Sequence, residues 1–510
     1  MKKALLSFCI LMIVQFLSAQ SYRIIDSEIT ITGSKSFATT KPYTINRVYP
    51  LDKKSIFSKE QLGSYLDNYK KQLQSSRFFE EISIDYTIYT ETEELTEIIV
   101  RISLKDSKHF LAVPYMTFDT DSNGTAISPK LKAKDTNFLG TMNPLSLDAN
   151  IKIEKNDEKD FWTFSPGFNL SYDFPFHLGP FDVTWVNDYE LAYTFGEISP
   201  EWDAKTGLKL TLPLQKLSLV LEAYQYSFRE FDYIEYNDQT YFQEEFQFST
   251  PIDIATFPNY SKLIYTPLFN FSWFWDIDYI SKLNDDLSGP QIKPAHQIEN
   301  SKIIWENNFR DGYYFKLKNA WLYNSQRFEL APSIELEAKG FKSFYLSDKS
   351  YFDRLGINAD LYTFAYFDMP DNRFYYGEKI GQRLRGIADK SYFGNSKPDY
   401  TTSSAMVLNL DIPVNIITTD FSNNILKKFN FTMQVSPFID TAIYRDRQKE
   451  TQVASALCSG FEVLVFPKRW SSFIVRGSLG FDMKKAFSQK NFIKGLLHNK
   501  EIYIGLGLLY

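Results

Sequence analysis

The chain has 510 residues, enough for two or three domains or one very large one. Hydrophobic residues make up 44% of it and aromatic residues 17%, but they are interleaved with polar residues, which argues against a bundle of membrane helices. A formal net charge of -6 argues against a protein that binds nucleic acid by electrostatic attraction.

The N-terminus has the pattern of a secretory signal peptide. Two lysines precede an apolar stretch over 4–17, and small residues mark a cleavage site after Ala19. The stretch is shorter than the roughly 20 residues that a membrane-spanning helix needs. We therefore predict a signal peptide over 1–19 and an exported mature chain. That chain has a single cysteine, Cys458, and so no internal disulfide.

Residues 21–106 are predicted to form a small α+β domain. A strand-like run comes first, and Ser58 and Gln61 then have the spacing of a helix capping box. The helix that follows has an apolar face formed by Leu62, Leu66, Tyr69 and Leu73. Alternating apolar residues predict two further strands, over 82–88 and 98–104.

Residues 109–510 have a hydrophobic period of two. Over 269–279, for example, aromatic and aliphatic residues largely alternate with Asn, Ser and Asp. Aromatic residues crowd the apolar faces, as at membrane interfaces, and the charged faces would line a watery lumen. About 400 residues at roughly 25 per strand and connection give about 16 strands. We predict a mainly β fold, in which a transmembrane antiparallel β-barrel of about 16 strands follows the small α+β domain.

The same alternation is compatible with a soluble all-β protein, such as an adhesin, whose two sheets pack through their apolar faces. The end of the chain favours the barrel. The last predicted strand has Gly505 and Gly507 on one face, where they offer no side chain for packing. Its other face is apolar and consists of Ile502, Ile504, Leu506, Leu508 and Tyr510. A last strand that ends in an aromatic residue resembles the C-terminal β-signal of outer-membrane barrels.

A loop motif between residues 374 and 395 carries a more specific resemblance. The motif consists of Leu384, Arg385, Gly386 and Ile387. It resembles the sixth extracellular loop of the BamA/TamA superfamily, the outer-membrane protein assembly factors and bacterial surface antigens. The resemblance implies that the loop folds into the lumen, where its arginine meets an inward aspartate beside a phenylalanine. Phe438 and Asp440 match that strand, and the alternation places Asp440 on its polar face. The alternative is that the arginine and the aspartate are two unrelated solvated charges in a wet pore.

Several positions depart from the family pattern. Ile387 stands where the family usually has an aromatic residue. Asn409 and Asp411 stand where it often has Glu and Arg, and we expect these two changes to alter the lumenal network. The Arg-Gly pair recurs at Arg476, inside a predicted strand, and we interpret Arg476 as lumen-facing but outside the motif.

The N-terminal domain resembles a POTRA (polypeptide-transport-associated) domain. The resemblance rests on a strand that ends at Gly33, on a helix that ends at Leu73, and on the step into the next strand at Phe78 and Phe79. Ser34 stands where those domains usually have Asn. The resemblance implies a single periplasmic POTRA-like domain.

These resemblances imply a protein of the bacterial outer membrane that inserts outer-membrane proteins or translocates polypeptides. The first barrel strand, over 111–118, and the last, over 501–510, would meet at a weak seam to which a client strand adds. Expected partners are membrane lipid, unfolded outer-membrane or secreted polypeptides, and periplasmic chaperones or accessory subunits, but no nucleic acid. The alternative function is a passive channel or surface receptor that keeps the fold without insertase activity.

The sequence suggests no enzyme. The four histidines are far apart and have no zinc-site spacing, and we find no phosphate loop, nucleophile elbow or dinucleotide fingerprint. We therefore expect no catalytic residues, no metal site and no cofactor.

Overall fold

The structure analysed is a computed structural model. It describes residues 21–33, 38–92, 94–121, 124–156, 161–195, 200–214, 216–229, 240–257, 261–277, 289–325, 328–367, 378–387, 392–393, 401–423, 426–445, 453–498 and 500–506. The predicted signal peptide and the predicted β-signal residues Gly507, Leu508 and Tyr510 lie outside these ranges. In the described part of the chain, no helix is long and apolar enough to cross a membrane.

The N-terminal module is one sheet covered by two helices. Its elements are β1 (Ser21–Thr32), α1 (Pro42–Val48), β2 (Ile56–Ser58), α2 (Lys59–Ser75), β3 (Phe79–Glu91) and β4 (Leu95–Asp106). The strand order is β2-β1-β4-β3, and β1 runs parallel to β4. Helix α2 begins at the predicted capping box, in which Ser58 and Gln61 bond to each other's backbone. The predicted apolar face of α2 is buried against the sheet, because Leu62 and Leu73 pack in one core with Ile24 and Ile98.

The remaining strands form one closed sheet. They are β5 (Phe110–Asp121), β6 (Gly124–Asp135), β7 (Leu145–Asn156), β8 (Phe161–Leu178), β9 (Phe181–Ala192), β10 (Glu201–Pro213), β11 (Ser218–Arg229), β12 (Thr240–Ser249), β13 (Ile252–Thr256), β14 (Lys262–Trp275), β15 (Gln291–Glu306), β16 (Phe309–Asn324), β17 (Glu329–Tyr345), β18 (Arg354–Tyr366), β19 (Glu378–Lys379), β20 (Tyr392–Phe393), β21 (Thr401–Thr402), β22 (Ser404–Asp411), β23 (Val414–Thr418), β24 (Phe431–Arg445), β25 (Val453–Pro467), β26 (Val475–Asp482) and β27 (Lys500–Leu506). Of these, β19 and β21 pair with each other outside the barrel sheet. Two short helices, α3 (Met483–Ser488) and α4 (Phe492–His498), join β26 to β27.

Eighteen strands build the barrel wall in the described residues. The closed order contains 21 segments, of which β13 and β23 continue β12 and β22 past a short break, and β20 has only two residues. The number is even, as expected for such barrels. It exceeds the predicted figure of about 16 because several connections are very short. Asn307 and Asn308, for example, form a two-residue hairpin between β15 and β16, with the positive φ angles of 50° and 65° that a tight turn needs.

The two faces of the wall differ in chemistry. Large apolar side chains are exposed on the outside, among them Trp185, Phe248, Phe269, Ile439 and Phe461. Charged side chains pair on the inside, for example Lys316 with Glu335 at 2.9 Å and Lys339 with Glu337 at 2.9 Å. The predicted antiparallel β-barrel is therefore confirmed, and the alternative of two packed open sheets is wrong because the strands close into one sheet.

The module packs against one end of the barrel, which we call the module end. Arg77 is central to this contact: its Nε donates to the Ser471 carbonyl oxygen at 2.7 Å and its Nη1 donates to Asn308 Oδ1 at 3.0 Å. Its guanidinium also lies over the Trp305 ring, 4.9 Å from the ring centre. Burial lowers the pKa of Arg77 to about 10, so it remains charged at neutral pH.

Arg77→Ala is expected to loosen the module from the barrel without unfolding either. The change removes buried hydrogen bonds from a charged donor, each worth about 1.5 to 3 kcal/mol. Hydrogen exchange at 305–308 and 469–472 should accelerate, whereas exchange in the sheet of the module should not. Arg101→Ala is the control, because Arg101 pairs with Glu28 in an exposed position. Equal protection in the two variants would contradict this role of Arg77.

His109 lies in the short linker between the module and the barrel, and it is expected to make the junction sensitive to acid. It is buried beside the Phe78 ring and Thr136, and burial lowers its pKa to about 4. The junction stays neutral at His109 while the unfolded chain takes up a proton near pH 6.5, so its stability falls as the pH drops from 6.5 towards 4. Asp106 lies 4.0 Å away and has the opposite influence, because burial raises its pKa.

The effect of His109 can be isolated with His109→Asn. Between pH 7 and pH 5, the unfolding free energy of the wild type should fall by roughly 2 kcal/mol relative to that of the variant. Urea titration followed by hydrogen exchange in the linker measures the difference. A wild type and a variant with parallel pH profiles would show that His109 does not titrate below its ordinary range.

Candidate functional site in the barrel lumen

Part of the long connection between β18 and β22 lies inside the barrel. Its apolar residues Ile380, Leu384 and Ile387 are fully or almost fully buried. They pack against inward side chains of the wall strands, namely Tyr362, Phe364, Ala405, Val407, Ala442, Ala456 and Cys458. This apolar patch in an otherwise polar lumen holds the loop by removing its aliphatic side chains from water.

Arg385 and Asp440 are in direct contact. The guanidinium donates from Nη2 to Asp440 Oδ1 at 2.6 Å and from Nε to Oδ2 at 2.9 Å, and the Arg385 backbone N–H donates to Oδ2 at 2.8 Å. Only 2% of Arg385 and 0% of Asp440 is exposed. The Phe438 ring lies on the same face of β24 and stacks on the guanidinium, 3.9 Å from its centre. The structure thus brings together the loop arginine, the aspartate and the phenylalanine that the sequence singled out, in a bidentate and fully desolvated geometry.

Two further residues of the network have roles that the sequence analysis did not assign. Asp411 accepts from Arg385 Nη1 at 2.6 Å, so this residue extends the network. Arg476 pairs with Glu462 at 2.6 Å, and Glu462 also lies 3.4 Å from Arg385. Arg476 does face the lumen, but its interpretation as a residue outside the motif's surroundings is wrong. Strand parity identifies such inward charges, but not which of them meet across the lumen.

Asn409 joins the network through the backbone of the loop. Its Nδ2 donates to the Arg383 carbonyl oxygen at 2.8 Å. The Arg383 guanidinium in turn lies over the Tyr362 ring, 3.6 Å from its centre. The substituted positions Asn409 and Asp411 therefore both contact the loop.

Gly386 connects the loop to the last strand. Its backbone N–H donates to Glu501 Oε2 at 2.6 Å, and Glu501 is a buried residue of β27 that the sequence analysis did not select. The φ angle of Gly386 is 86°, in the left-handed region that favours glycine. A Cβ at this position would lie 2.6 Å from the carbonyl carbon of Gly480 on β26 and even closer to Phe481 N. Both the conformation and the available space therefore require glycine.

We call this arrangement the lumenal latch. It consists of Leu384, Arg385, Gly386 and Ile387 together with Asp411, Phe438, Asp440, Glu462, Arg476 and Glu501. The latch joins the loop to β24 on one side and to β26 and β27 on the other.

The inner face of the last strand is filled, contrary to the prediction for Gly505. The phenol of Tyr503 occupies the space that a Cβ on Gly505 would need. The Arg476 guanidinium stacks on the Tyr503 ring, 4.7 Å from its centre. Gly505 therefore makes room for a neighbouring side chain and leaves no unpacked patch. Ile504 is exposed on the outer face, as predicted, and Ile502 and Leu506 have the same parity.

The barrel closes between β27 and β5, and the long loop takes part in this closure. Tyr392 and Phe393, which form β20, pair in parallel with Glu501 and Ile502 of β27. Phe393 also pairs antiparallel with Phe118 of β5. The loop that carries the latch thus contributes backbone to the seam between the first and last strands.

No protein-family model matches the sequence, and no curated protein matches it. Among solved structures, the chain is similar to CdiB from Escherichia coli, with a TM-score of 0.47 and 8% identity over 90% of this chain and 72% of that one. It is also similar to CdiB from Acinetobacter baumannii, with a TM-score of 0.44 and 12% identity over 90% and 70% of the two chains. A third similar structure is BamA from Haemophilus ducreyi lacking POTRA domains 1-3, with a TM-score of 0.31 and 12% identity over 95% and 83%. At these values the function has to be argued from the lumenal residues themselves.

Among the residues that the structure describes, no group of three or more His, Cys, Asp or Glu side chains could hold a metal ion.

Proposed function

We propose that this protein is an outer-membrane β-barrel of the BamA/TamA superfamily, which inserts outer-membrane proteins or translocates polypeptides across that membrane. The observation that supports this most is the latch. Arg385 is held by Asp440 in the desolvated lumen, while the adjacent Gly386 binds Glu501 on the strand that closes the barrel. The loop is thereby tied to the seam at which a client would enter.

The mechanism rests on backbone pairing at the seam. When β27 separates from β5, its free edge can hydrogen bond to a client strand, which is the β-augmentation mode. The short pairing of Tyr392 and Phe393 with both strands shows that backbone at this position has donors and acceptors on either side. The latch would keep β27 attached to the loop while its other edge exchanges partners. This scheme involves no catalytic residue and no cofactor, because the client releases free energy as it folds into lipid.

We assign the N-terminal module to the POTRA type and place it in the periplasm, where it would receive unfolded clients from chaperones or accessory subunits. Its order of strand, two helices and two long strands, apart from the short β2, supports this assignment. Its firm contact through Arg77 with the module end of the barrel would bring a client close to the lumen.

Reconstitution tests the proposal. Proteoliposomes that contain this protein should accelerate the folding of a urea-unfolded outer-membrane barrel relative to empty liposomes, and Arg385→Ala should weaken the acceleration. Lys316→Ala is the control, because Lys316 pairs with Glu335 in the lumen outside the latch. A correctly closed barrel that accelerates nothing would contradict the proposal and favour a passive channel, which conductance would then reveal.

A further inference from the structure

The connection between β26 and β27 forms a compact helical hairpin at the barrel end opposite the module. Helices α3 and α4 pack closely, because a Cβ on Gly495 would lie 2.8 Å from the Ala486 carbonyl oxygen. The rings of Phe487 and Phe492 stack across the hairpin at 5.1 Å. The hairpin is therefore a structured element.

The hairpin leans over the outer rim of the barrel. Lys484 Nζ donates to the Ser455 carbonyl oxygen at 2.8 Å and to Ser455 Oγ at 3.2 Å. Ser455 lies on the outward face of β25, which it shares with the exposed residues Val453, Leu457 and Phe461. This outward face is the one that meets lipid in a membrane barrel. The hairpin is thus continuous with the lipid-facing wall.

The exposed surface of the hairpin combines apolar and basic side chains. Phe487 is 64% exposed and Ile493 is 69% exposed, which is unusual for such large apolar residues unless they meet a partner. Residues 483–500 contain five lysines and no acidic residue. Bulky apolar side chains beside lysines are typical of helices that lie in a membrane interface and bind anionic lipid.

We propose that residues 483–498 form an interfacial anchor, which inserts Phe487 and Ile493 between lipids and binds anionic head groups in the leaflet at the far end of the barrel. This inference rests on the membrane location in the proposed function, but it does not depend on insertase activity. The anchor would fix the membrane depth of β26 and β27, the two strands that it connects. A lipid surface is favoured over a protein partner because the hairpin continues the lipid-facing wall and has a single sign of charge.

A polarity-sensitive dye tests the anchor. Ile493→Cys is labelled with the fluorophore NBD in the folded protein, where native Cys458 is buried, and is placed in nanodiscs of phosphatidylcholine with or without phosphatidylglycerol. We expect emission at shorter wavelength than at Ser64→Cys on the module, and a further shift with the anionic lipid. Lys490→Gln with Lys494→Gln should abolish the lipid-dependent shift, whereas Lys54→Gln with Lys59→Gln on the module should not.

Leu457→Cys on the outer wall separates the two possible failures. If NBD at Leu457 reports lipid while NBD at Ile493 reports water in both kinds of nanodisc, the anchor is wrong although the barrel is embedded. A blue shift at Ile493 that requires an added protein would also overturn the lipid anchor. If NBD at Leu457 reports water as well, the membrane location itself fails.

Discussion

Replacing Arg385 with alanine is expected to open the latch and to destabilise the barrel by about 3 to 5 kcal/mol, because it leaves a buried charge without its partner. Asp440 is fully buried, and Asp411 would lose its hydrogen bond to the same guanidinium. The buried thiol of Cys458 reports the change, since it lies in the apolar cluster beneath Leu384 and Ile387. A water-soluble maleimide should label Cys458 in the folded variant but not in the folded wild type.

Two further variants show whether the effect is specific to the latch. Arg385→Lys keeps the charge but loses the bidentate geometry, so its stability should lie between those of the wild type and the alanine variant. Lys316→Ala removes a half-hydrated lumenal charge and should change the unfolding free energy by about 1 kcal/mol or less. If Arg385→Ala unfolds at the wild-type urea concentration with Cys458 still protected, the network does not stabilise the loop.

Gly386→Ala is expected to displace the loop from the last strand. The left-handed backbone alone costs a residue with a side chain about 1 to 3 kcal/mol. The added methyl group would also collide with the backbone of Gly480 and Phe481, which cannot move without disturbing β26. The hydrogen bond from Gly386 to Glu501 should then be lost, and hydrogen exchange in β27 should accelerate.

The recurring Arg-Gly pair on β26 supplies a matched control. Gly477→Ala makes the same chemical change at a position where nothing lies within 4 Å of the new Cβ. It should leave exchange in β27 and the protection of Cys458 unchanged. Equal effects of the two substitutions would show that the response comes from the loss of any glycine near the seam.

The contact of Arg385 with Asp440 illustrates what the sequence can predict. Alternation along β24 fixes the side of the wall on which Asp440 and Phe438 lie, and the loop motif identifies the arginine. Both inferences depend only on local order along the chain, which a period of two determines strictly.

The rest of the network depends on how the barrel closes, and this is why it could not be predicted. Glu501 is separated from Gly386 by 115 residues, and they meet only because β27 lies beside β26 in the closed wall. Glu462 and Asp411 face inward by parity, but so do many lumenal charges. The choice among them is made by the path of the loop. Gly505 likewise shows an empty position in the sequence that a neighbouring side chain fills in space.

The hairpin over 483–498 and the strand count were missed for a related reason. Helices of six and seven residues are too short to show a clear helical period, so the sequence gave no helix there. Tight hairpins such as Asn307-Asn308 shorten the average repeat and add strands to the estimate.

Client folding in the presence of the matched glycine variants tests the central claim most directly. Wild-type, Gly386→Ala and Gly477→Ala proteins are reconstituted at equal density, and the folding rate of an unfolded outer-membrane barrel is compared with that in empty liposomes. We predict that the wild type and Gly477→Ala accelerate folding and that Gly386→Ala loses most of this acceleration while remaining a closed barrel. Full activity of Gly386→Ala would contradict a function for the latch, and no acceleration by any of the three would contradict the proposed insertase.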